Sequence, residues 1–260
     1  MARRRFFVDE IRRGTAELTG PNAEHLVRVL RVEVGQVFEI SDNQSVYLAE
    51  VTAARKSSVE FLVTDRLPDP DPSVQITLLP ALIKFDSFEW MVEKATELGV
   101  AAIQPFEATR SERGLLLASQ KRLARWQRIA LEASEQSRRA HLPRIAPAVR
   151  FGNTLTEEAS LRLLLDESND LQPILEVVPA ERSPADHVAL LLGPEGGWTD
   201  AEREEAIDAG WLPCSLGQTV LRAETAAIAA LAIIQAVWAA SNLGRKFVTP
   251  PFELQQRESV

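Results

Sequence analysis

The sequence predicts an α/β protein in which a small β-rich domain precedes a larger domain built on a mostly parallel sheet. Beyond residue 75, apolar strands alternate with helical segments, which is typical of parallel sheets. Before residue 66, short segments with a period-two apolar pattern indicate strands. Between these regions lies Leu67–Ser73, whose three prolines exclude a helix or a central strand. We therefore predict domains at residues 1–70 and 74–250.

The first domain contains one short helix among its predicted strands. In Asn22–Leu30, the apolar residues Leu26, Val29 and Leu30 lie on one side of a helix. The other segments alternate apolar and polar residues, as expected for strands with one buried face. The predicted strands are Phe6–Val8, Gln36–Ile40, Ser45–Ala53 and Ser58–Val63.

The second domain alternates buried strands with amphipathic helices. Ser87–Leu98 is predicted as a helix that ends at Gly99, because glycine is common just after a helix C-terminus. Ser119–Arg139 is predicted as one long helix with Leu123 and Trp126 on its apolar side. Continuous apolar runs indicate strands that are covered on both faces. The predicted strands are Ile76–Ile83, Val100–Phe106, Leu161–Leu165 and Val188–Leu192.

The composition excludes several classes of protein. Cys214 is the only cysteine, so no internal disulfide framework is expected, and a packed residue is favoured over a nucleophile. The three histidines lack the spacing of metal ligands, so no metal site is expected. The N-terminus is basic but has no apolar stretch like that of a signal peptide. We therefore expect a cytoplasmic protein.

The longest apolar stretch, Ala226–Ala240, is shorter than a membrane span and contains Gln235. We interpret it as a buried helix or as part of a subunit interface, with no membrane association.

The net charge of −8 is unevenly distributed along the chain. Residues 1–31 carry seven arginines against four acidic residues, and residues 110–145 carry nine basic residues against three acidic ones. Two basic regions on an acidic chain can form a local surface for a polyanion. Composition alone is equally consistent with two solvated charged faces.

The stretch Leu190–Leu231 carries the clearest functional signal. Its apolar strand is followed by Gly-Pro-Glu-Gly-Gly at 193–197, and three glycines in five residues let backbone amides approach a ligand closely. Thr199 and Glu202 form a capping box that starts a helix, and a second glycine loop follows at Ser215–Gly217. Each loop alone fits an ordinary strand-to-helix turn. Together they predict a small-molecule pocket at the carboxyl ends of parallel strands.

This combination of loops resembles the ribosomal RNA small-subunit methyltransferase E family. Gly-Pro-Glu-Gly-Gly at 193–197 is followed by Leu-Gly-x-x-x-Leu-Arg-x-Glu-Thr-Ala at 216–226. Further blocks similar to those of the family occur along the chain. They are His25–Arg31, Lys84 with Glu93–Val100, Ser111–Arg113, and Glu135–Arg139 with Pro143.

The resemblance implies several properties that the residues alone do not reveal. It implies a SPOUT-class enzyme, dependent on S-adenosylmethionine, that methylates N3 of a uridine in 16S ribosomal RNA. The implied fold is a PUA-like β-barrel for RNA followed by a SPOUT domain, with a deep trefoil knot and the cofactor site at residues 188–240. The implied partners are 16S ribosomal RNA or the small ribosomal subunit, and a second copy of the chain at the apolar segment Thr225–Trp238.

By this resemblance, the two glycine loops hold the cofactor. Their backbone groups can bind the adenine edge, while Leu216, Val220 and Leu221 contact its face. The expected cofactor-binding residues are Leu192, Gly193, Gly197, Ser215, Leu216, Gly217, Val220 and Leu221.

Two charged residues beside these loops are the candidates for catalysis. The guanidinium of Arg222 could stabilise a uridylate oxygen or hold a phosphate. Glu195 is the candidate proton acceptor, because a tight loop near a buried strand end would desolvate its carboxylate. The structural alternatives are that Arg222 pairs with Glu224 or caps the last helix, and that Glu195 accepts amide hydrogen bonds in its loop.

Arginines in the two basic regions are the candidates for RNA contact, and surface solubility or a local ion pair is the alternative for each. They are Arg3, Arg4, Arg28, Arg31, Arg110, Arg113, Arg138 and Arg139.

Three other functions remain open from the sequence. The chain could be a SPOUT enzyme that modifies another RNA nucleotide, a non-catalytic RNA-binding protein, or a nicotinamide-dependent α/β enzyme. The absence of a Gly-x-Gly-x-x-Gly turn opening a helix argues against the last.

Overall fold

The structure, a computed structural model, describes residues 4–68, 73–168 and 170–243. These residues form two six-stranded sheets and one two-stranded sheet. The first large sheet lies within residues 5–66 and the second within residues 75–214, so the proline-rich segment separates them.

The first domain is a sheet with one helix packed on it. Its elements are β1 (Arg5–Phe7), β2 (Ile11–Arg12), β3 (Thr15–Thr19), α1 (Gly20–Arg28), β4 (Val37–Ser41), β5 (Val46–Arg55) and β6 (Ser58–Arg66). The strand order is β1-β4-β5-β6-β3-β2, with β1 and β4 parallel and the other pairs antiparallel. Alternate residues such as Val51, Val59 and Phe61 are buried against Leu26 of α1.

Two strands of the first sheet, β2 and β3, are not predicted from the sequence. β2 is only two residues long, and the apolar residues of β3 are Ala16 and Leu18 alone, which is a weak pattern. β3 becomes a strand because all five of its residues pair with β6. The helix α1 begins at Gly20 rather than at Asn22, with Pro21 in its first turn, where proline is favourable.

The second domain is a parallel sheet covered by helices, as the alternating pattern predicts. Its elements are β7 (Gln75–Pro80), α2 (Phe85–Glu97), β8 (Ala102–Ile103), β9 (Phe106–Glu107), α3 (Leu115–Ser119), α4 (Leu123–Ser137), β10 (Arg144–Ile145), β11 (Val149–Arg150), a 3-10 turn (Phe151–Asn153), β12 (Leu161–Leu165), α5 (Ile174–Val177), β13 (His187–Leu192), α6 (Asp200–Asp208), β14 (Leu212–Cys214) and α7 (Ala223–Leu243). The strand order is β10-β8-β7-β13-β12-β14, and every pair is parallel. β9 and β11 form the two-stranded sheet.

Two predicted elements of this domain are divided in the structure. The segment Val100–Phe106 forms β8 and part of β9, which belong to different sheets, because Pro105 has no amide hydrogen to continue a ladder. The predicted helix Ser119–Arg139 is replaced by α3 and α4. Arg138 ends α4 with a left-handed φ of 57°. The strand β14, which contains Pro213, has no counterpart among the predicted elements.

The second sheet is buried on both faces. Its central strand β13 has five consecutive buried residues, as its continuous apolar run predicts. One face packs against α2, α4 and α7, and the rings of Phe88 and Trp126 lie 4.4 Å apart there. The other face packs against Phe106, Trp198 and Trp211.

The helix α7 is longer and less buried than its sequence suggests. It spans 21 residues and extends beyond the apolar stretch Ala226–Ala240 at both ends. Its window Ala223–Ala240 is long and apolar enough to cross a membrane by length and composition, and 28% of that window is buried. The side that includes Ala230 and Ile234 packs in the core against α2 and β7. The opposite side is apolar, and the described residues do not cover it.

The two domains contact each other at the end of α4. Arg5 of β1 donates a hydrogen bond of 2.6 Å from Nη1 to the carbonyl oxygen of Arg138. The buried hydroxyl of Ser41, at the end of β4, donates to the carbonyl oxygen of Ala140 at 2.7 Å. Side chains of the first sheet therefore fix the backbone that follows α4.

Glu135 is a half-buried carboxyl group at this contact. Its Oε1 atom is shielded from solvent and has no hydrogen-bond partner among the described residues. The pKa of Glu135 is raised to about 7, chiefly by burial; the backbone N–H of Phe7 lowers it and the charge of Glu132 raises it, and both effects are smaller. The domain contact therefore favours the protonated carboxyl group.

Replacing Glu135 by glutamine should stabilise the protein above neutral pH. Because the pKa of this carboxyl is raised by folding, its contribution to stability is fully present at low pH and is lost as the pH rises through about 7. At about pH 8 the substitution should raise the free energy of unfolding by about 1 kcal/mol, allowing for partial solvent exposure. Urea unfolding at acidic and alkaline pH measures this difference.

Glu204 provides the control, since Glu204→Gln removes an exposed carboxylate from α6, which has no part in the domain contact and does not affect the pKa of Glu135. An identical change in stability at both pH values for Glu135→Gln would mean that this group does not titrate at the domain contact.

Candidate functional site

Three loops meet at the carboxyl edge of the second sheet. β13, β12 and β14 are neighbours, and Leu165 at the end of β12 pairs with both Leu192 and Cys214. Adjacent parallel strands have their carboxyl ends at the same edge of a sheet, so the loops that follow these three strands begin side by side. The three loops are residues 166–168, 193–199 and 215–222.

These loops and the start of α7 surround one pocket. The predicted site residues that line it are Leu192, Gly193, Glu195, Gly197, Leu216, Gly217, Val220 and Leu221. The other residues that line it are Leu165, Asp166, Glu167, Pro194, Gly196, Trp198, Thr219, Ala223 and Ala226. The two glycine loops therefore share a wall, as the sequence predicts. Ser215 and Arg222 lie next to lining residues in the chain.

The loop after β13 is held in place by Trp198. The indole of this buried residue donates from Nε1 to the carbonyl oxygen of Leu165 at 2.8 Å, which joins the loop to β12. A Cβ atom on Gly193 would lie 2.9 Å from the ring, so only glycine fits there without displacing the indole. Gly197 has a positive φ of 70°, and its N–H donates to the carbonyl oxygen of Pro194.

Arg110 and the predicted capping box support the same loop from the other side. Arg110 donates from Nη1 to the carbonyl oxygens of Gly196 and Trp198, at 2.9 and 3.0 Å. The capping box of Thr199 and Glu202 is confirmed, and it starts α6 directly after the loop.

The loop after β14 is anchored at its start and open at its centre. Ser215 is buried and exchanges backbone hydrogen bonds with Gln172 and Ile174, so its backbone fixes the loop. Gly217 has a φ of 121°, and no heavy atom lies within 4 Å of its Cβ position. Within the described part of the chain, no backbone amide from Leu216 to Leu221 donates a backbone hydrogen bond. These amides are free to bind a ligand.

Of the two predicted catalytic residues, Glu195 lines the pocket and Arg222 lies beside it in the chain. Arg222 lies between the lining residues Leu221 and Ala223, and its carbonyl oxygen accepts the amide of Ala226 in the first turn of α7. Both Arg222 and Glu195 are exposed. The desolvation expected for Glu195 from its position in a tight loop is therefore not found within the single chain.

Two acidic residues that line the pocket were missed by sequence reasoning. Asp166 and Glu167 follow directly after the buried strand β12, and this position is the signal that could have identified them. Burial alone would raise the pKa of Asp166, but hydrogen bonds from Arg203 and Ser168 outweigh it and hold the pKa below its ordinary value. Asp166 is therefore a charged partner of Arg203.

The candidate arginines of the first domain are solvent-exposed where the structure describes them. Arg4, Arg28 and Arg31 are exposed, and Arg3 lies outside the described residues. Arg4 also borders a cavity of about 700 Å³ between the domains, which Arg138 and His25 line as well.

The candidate arginines of the second domain divide into two groups. Arg113 and Arg138 are exposed. Arg139 instead donates to the carbonyl oxygens of Thr96 and Val100 at 2.8 and 2.7 Å, and burial lowers its pKa to about 10. Arg139, like Arg110, therefore stabilises the fold through backbone carbonyls.

Cys214 is a packed residue at the end of β14. It is fully buried, and burial raises the pKa of its thiol to about 12, so the thiolate that a nucleophile requires is strongly disfavoured.

Comparison with known protein families identifies two matching domains. Residues 70–235 match the RNA methyltransferase domain family, and residues 18–64 match the RNA methyltransferase PUA domain family. The first match covers more than half of the chain.

Individual relatives align over most of the chain. The ribosomal RNA small subunit methyltransferase E of Synechocystis sp. is 37% identical over 236 residues, which cover 88% of this chain and 75% of that protein. The protein of the same name from Bacillus subtilis is 32% identical over 235 residues, which cover 85% of this chain and 89% of that protein.

Solved structures have the same fold over nearly the whole chain. The ribosomal RNA small subunit methyltransferase E of Neisseria gonorrhoeae, bound to S-adenosylmethionine, superposes with a TM-score of 0.81 at 31% identity and covers 91% of this chain and 98% of its own. A protein of Legionella pneumophila in complex with the same cofactor superposes with a TM-score of 0.82 at 28% identity, with the same coverage. The motifs of this chain, its two matching domains and these relatives together show that the chain belongs to the ribosomal RNA small subunit methyltransferase E family.

Proposed function

We propose that this protein transfers a methyl group from S-adenosylmethionine to N3 of a uridine in 16S ribosomal RNA. The observation that carries the proposal is the pocket that both glycine loops line at the carboxyl edge of the parallel sheet. The family member from Neisseria gonorrhoeae, at 31% identity, holds S-adenosylmethionine.

The residues of the pocket fit S-adenosylmethionine. The free backbone amides from Leu216 to Leu221 suit the hydrogen-bonding edge of adenine, and the apolar side chains of Leu216, Val220 and Leu221 suit its face. No lysine, arginine or histidine lines the pocket within the described residues, which suits a ligand with a positively charged sulfur.

The chain must prepare the nucleotide for methylation. When bound, the cofactor supplies a methyl group on a positively charged sulfur. N3 of uridine carries a proton, so its electron pair is available for attack only when that proton is removed. We assign proton removal to Glu195 and stabilisation of the resulting negative charge to Arg222. Both side chains are exposed beside the pocket, where a uridine base can reach them.

Exposed arginines of both domains form the proposed RNA surface. Arg4 and Arg138 lie on opposite sides of the domain contact but border the same cavity, so one RNA strand can contact both domains there. Arg28, Arg31 and Arg113 are also exposed, and we assign them to RNA contact as well.

The remaining features of the proposal concern architecture and location. We propose that residues 1–70 form the PUA-like domain and residues 74–250 the SPOUT domain, with a trefoil knot at 188–240. The uncovered apolar side of α7, which includes the exposed residues Ala232 and Ala236, supports a homodimer, because exposed apolar patches mark interfaces. The proposed ribosomal RNA substrate places the protein in the cytoplasm.

Replacing Gly217 by alanine should weaken S-adenosylmethionine binding by about tenfold or more, because the side chain would enter the pocket and strain a loop with φ of 121°. Gly14 supplies a matched control, since it also has a positive φ and no atom within 4 Å of its Cβ position but lies in a turn of the first sheet. Both variants should lose similar stability. Calorimetry measures the affinity of both variants for S-adenosylmethionine. If the two affinities fall equally, or if neither falls, the Gly217 loop is not part of the cofactor site.

Replacing Arg222 by alanine should slow methyl transfer by about a hundredfold, because the charge that develops on the uridine loses its stabilising partner. The affinity for S-adenosylmethionine should change by less than about twofold, since the guanidinium acts in the transition state. Single-turnover assays with unmethylated small subunits, read by mass spectrometry of nucleosides, measure this rate. Arg150→Ala, at an exposed position on β11, is the control. A rate equal to that of the wild type would make Arg222 structural.

Replacing both Arg4 and Arg138 by alanine should weaken RNA binding and flatten its salt dependence. The slope of log affinity against log salt concentration should fall by between about 1 and 2, because two phosphate contacts and their released counterions are lost. A double variant of the exposed Arg12 and Arg150 is the control. An unchanged slope in titrations with 16S ribosomal RNA would exclude the cavity between the domains as the phosphate-binding surface.

A further inference from the structure

The charges around the pocket are unequal. Three of its lining residues are acidic, namely Asp166, Glu167 and Glu195, and within the described residues no basic side chain lines it. Arg203 approaches from behind, where it pairs with Asp166 and also contacts Asp200 at 3.0 Å. The single positive charge of Arg203 is therefore shared by Asp166 and Asp200, and little of it is left to neutralise Glu167.

Of the three carboxylates that Arg203 contacts, Glu167 is the one that it neutralises least. The nearest distance between the two is 3.8 Å, from Nη2 of Arg203 to Oε1 of Glu167, which exceeds a hydrogen bond. The carboxylate instead extends toward the glycine loop, because its Oε1 atom occupies the space that a Cβ atom on Gly197 would need. The absence of a side chain at Gly197 thus lets a negative charge lie against the pocket wall.

We propose that Glu167 makes the pocket discriminate between the charged methyl donor and its uncharged product. This inference rests on the proposed function. In the transfer, the carbon–sulfur bond breaks and its electron pair stays on sulfur, the carbon–nitrogen bond forms from the N3 electron pair, and the N3 proton leaves to the base. The cofactor thereby loses one positive charge. Because Glu167 lines the pocket, its carboxylate would attract the donor more strongly than the product, whose sulfur is neutral, and so would favour exchange of product for donor.

The ratio of the dissociation constants of S-adenosylhomocysteine and S-adenosylmethionine reports this discrimination directly. Glu167→Gln should lower this ratio by about tenfold, mainly because the variant binds S-adenosylmethionine more weakly. Glu167→Asp keeps the charge and should preserve most of the ratio. Glu204→Gln removes an exposed carboxylate from α6 that does not line the pocket, and it should leave the ratio unchanged. Calorimetry with both ligands measures all four proteins.

Equal weakening of both ligands by Glu167→Gln would overturn the inference, since a hydrogen bond to the common ribose or a loop distortion would have that effect. Unchanged affinities would overturn it as well. If the wild type binds neither ligand, with or without RNA, the proposed function itself fails.

The wild type provides a second measurement that does not depend on the folding of a variant. Raising the salt concentration from about 50 mM to about 500 mM shortens the electrostatic screening length severalfold. The affinity for S-adenosylmethionine should therefore fall more than the affinity for S-adenosylhomocysteine. Parallel loss of both affinities would contradict a charge-based preference.

Discussion

The parallel pairing of β12 with both β13 and β14 is the constraint on which the site depends. Leu165 lies in register with Leu192 and with Cys214, so three strands end at one level and release three loops on one side. These strands are apolar because helices and loops cover both faces of the sheet. A shift of one residue in this register would move each side chain to the opposite covered face, where it would not fit, and would also displace the two glycine loops that line the pocket. Packing and site geometry are therefore set by the same interaction.

The loops themselves are held by contacts that leave the pocket wall as backbone. The indole of Trp198 joins the loop after β13 to the end of β12, and Arg110 holds the same loop by its carbonyl oxygens. Gly193 and Gly197 make room for the indole and for the Glu167 carboxylate, respectively. Glycine thus has two roles at this edge. It exposes backbone to a ligand, and it allows larger groups behind the wall to reach their positions.

Some arginines of this chain stabilise the fold and others are exposed to solvent. The sequence shows their charge but not which of these two groups an arginine belongs to. Arg139 is half-buried against the backbone between α2 and β8, and Arg5 links the first sheet to the end of α4. Arg4 and Arg138, in contrast, remain exposed beside the cavity between the domains. A guanidinium has five donors in a fixed plane, which suits backbone carbonyls and phosphates alike. The number of arginines in a basic region therefore overstates the surface that remains for RNA.

The sequence by itself determined the α/β class, the parallel sheet, the capping box at Thr199 and the presence of two glycine loops, because these follow from local periodicity and backbone preferences. It did not determine β3 or β14, whose strands form through pairing with a distant neighbour, or the break at Pro105 between two sheets. Only the tertiary structure decided which charges face the pocket. Glu167 lies against Gly197 because neighbouring strands end together, although 30 residues or so separate them along the chain, a distance that no local pattern spans.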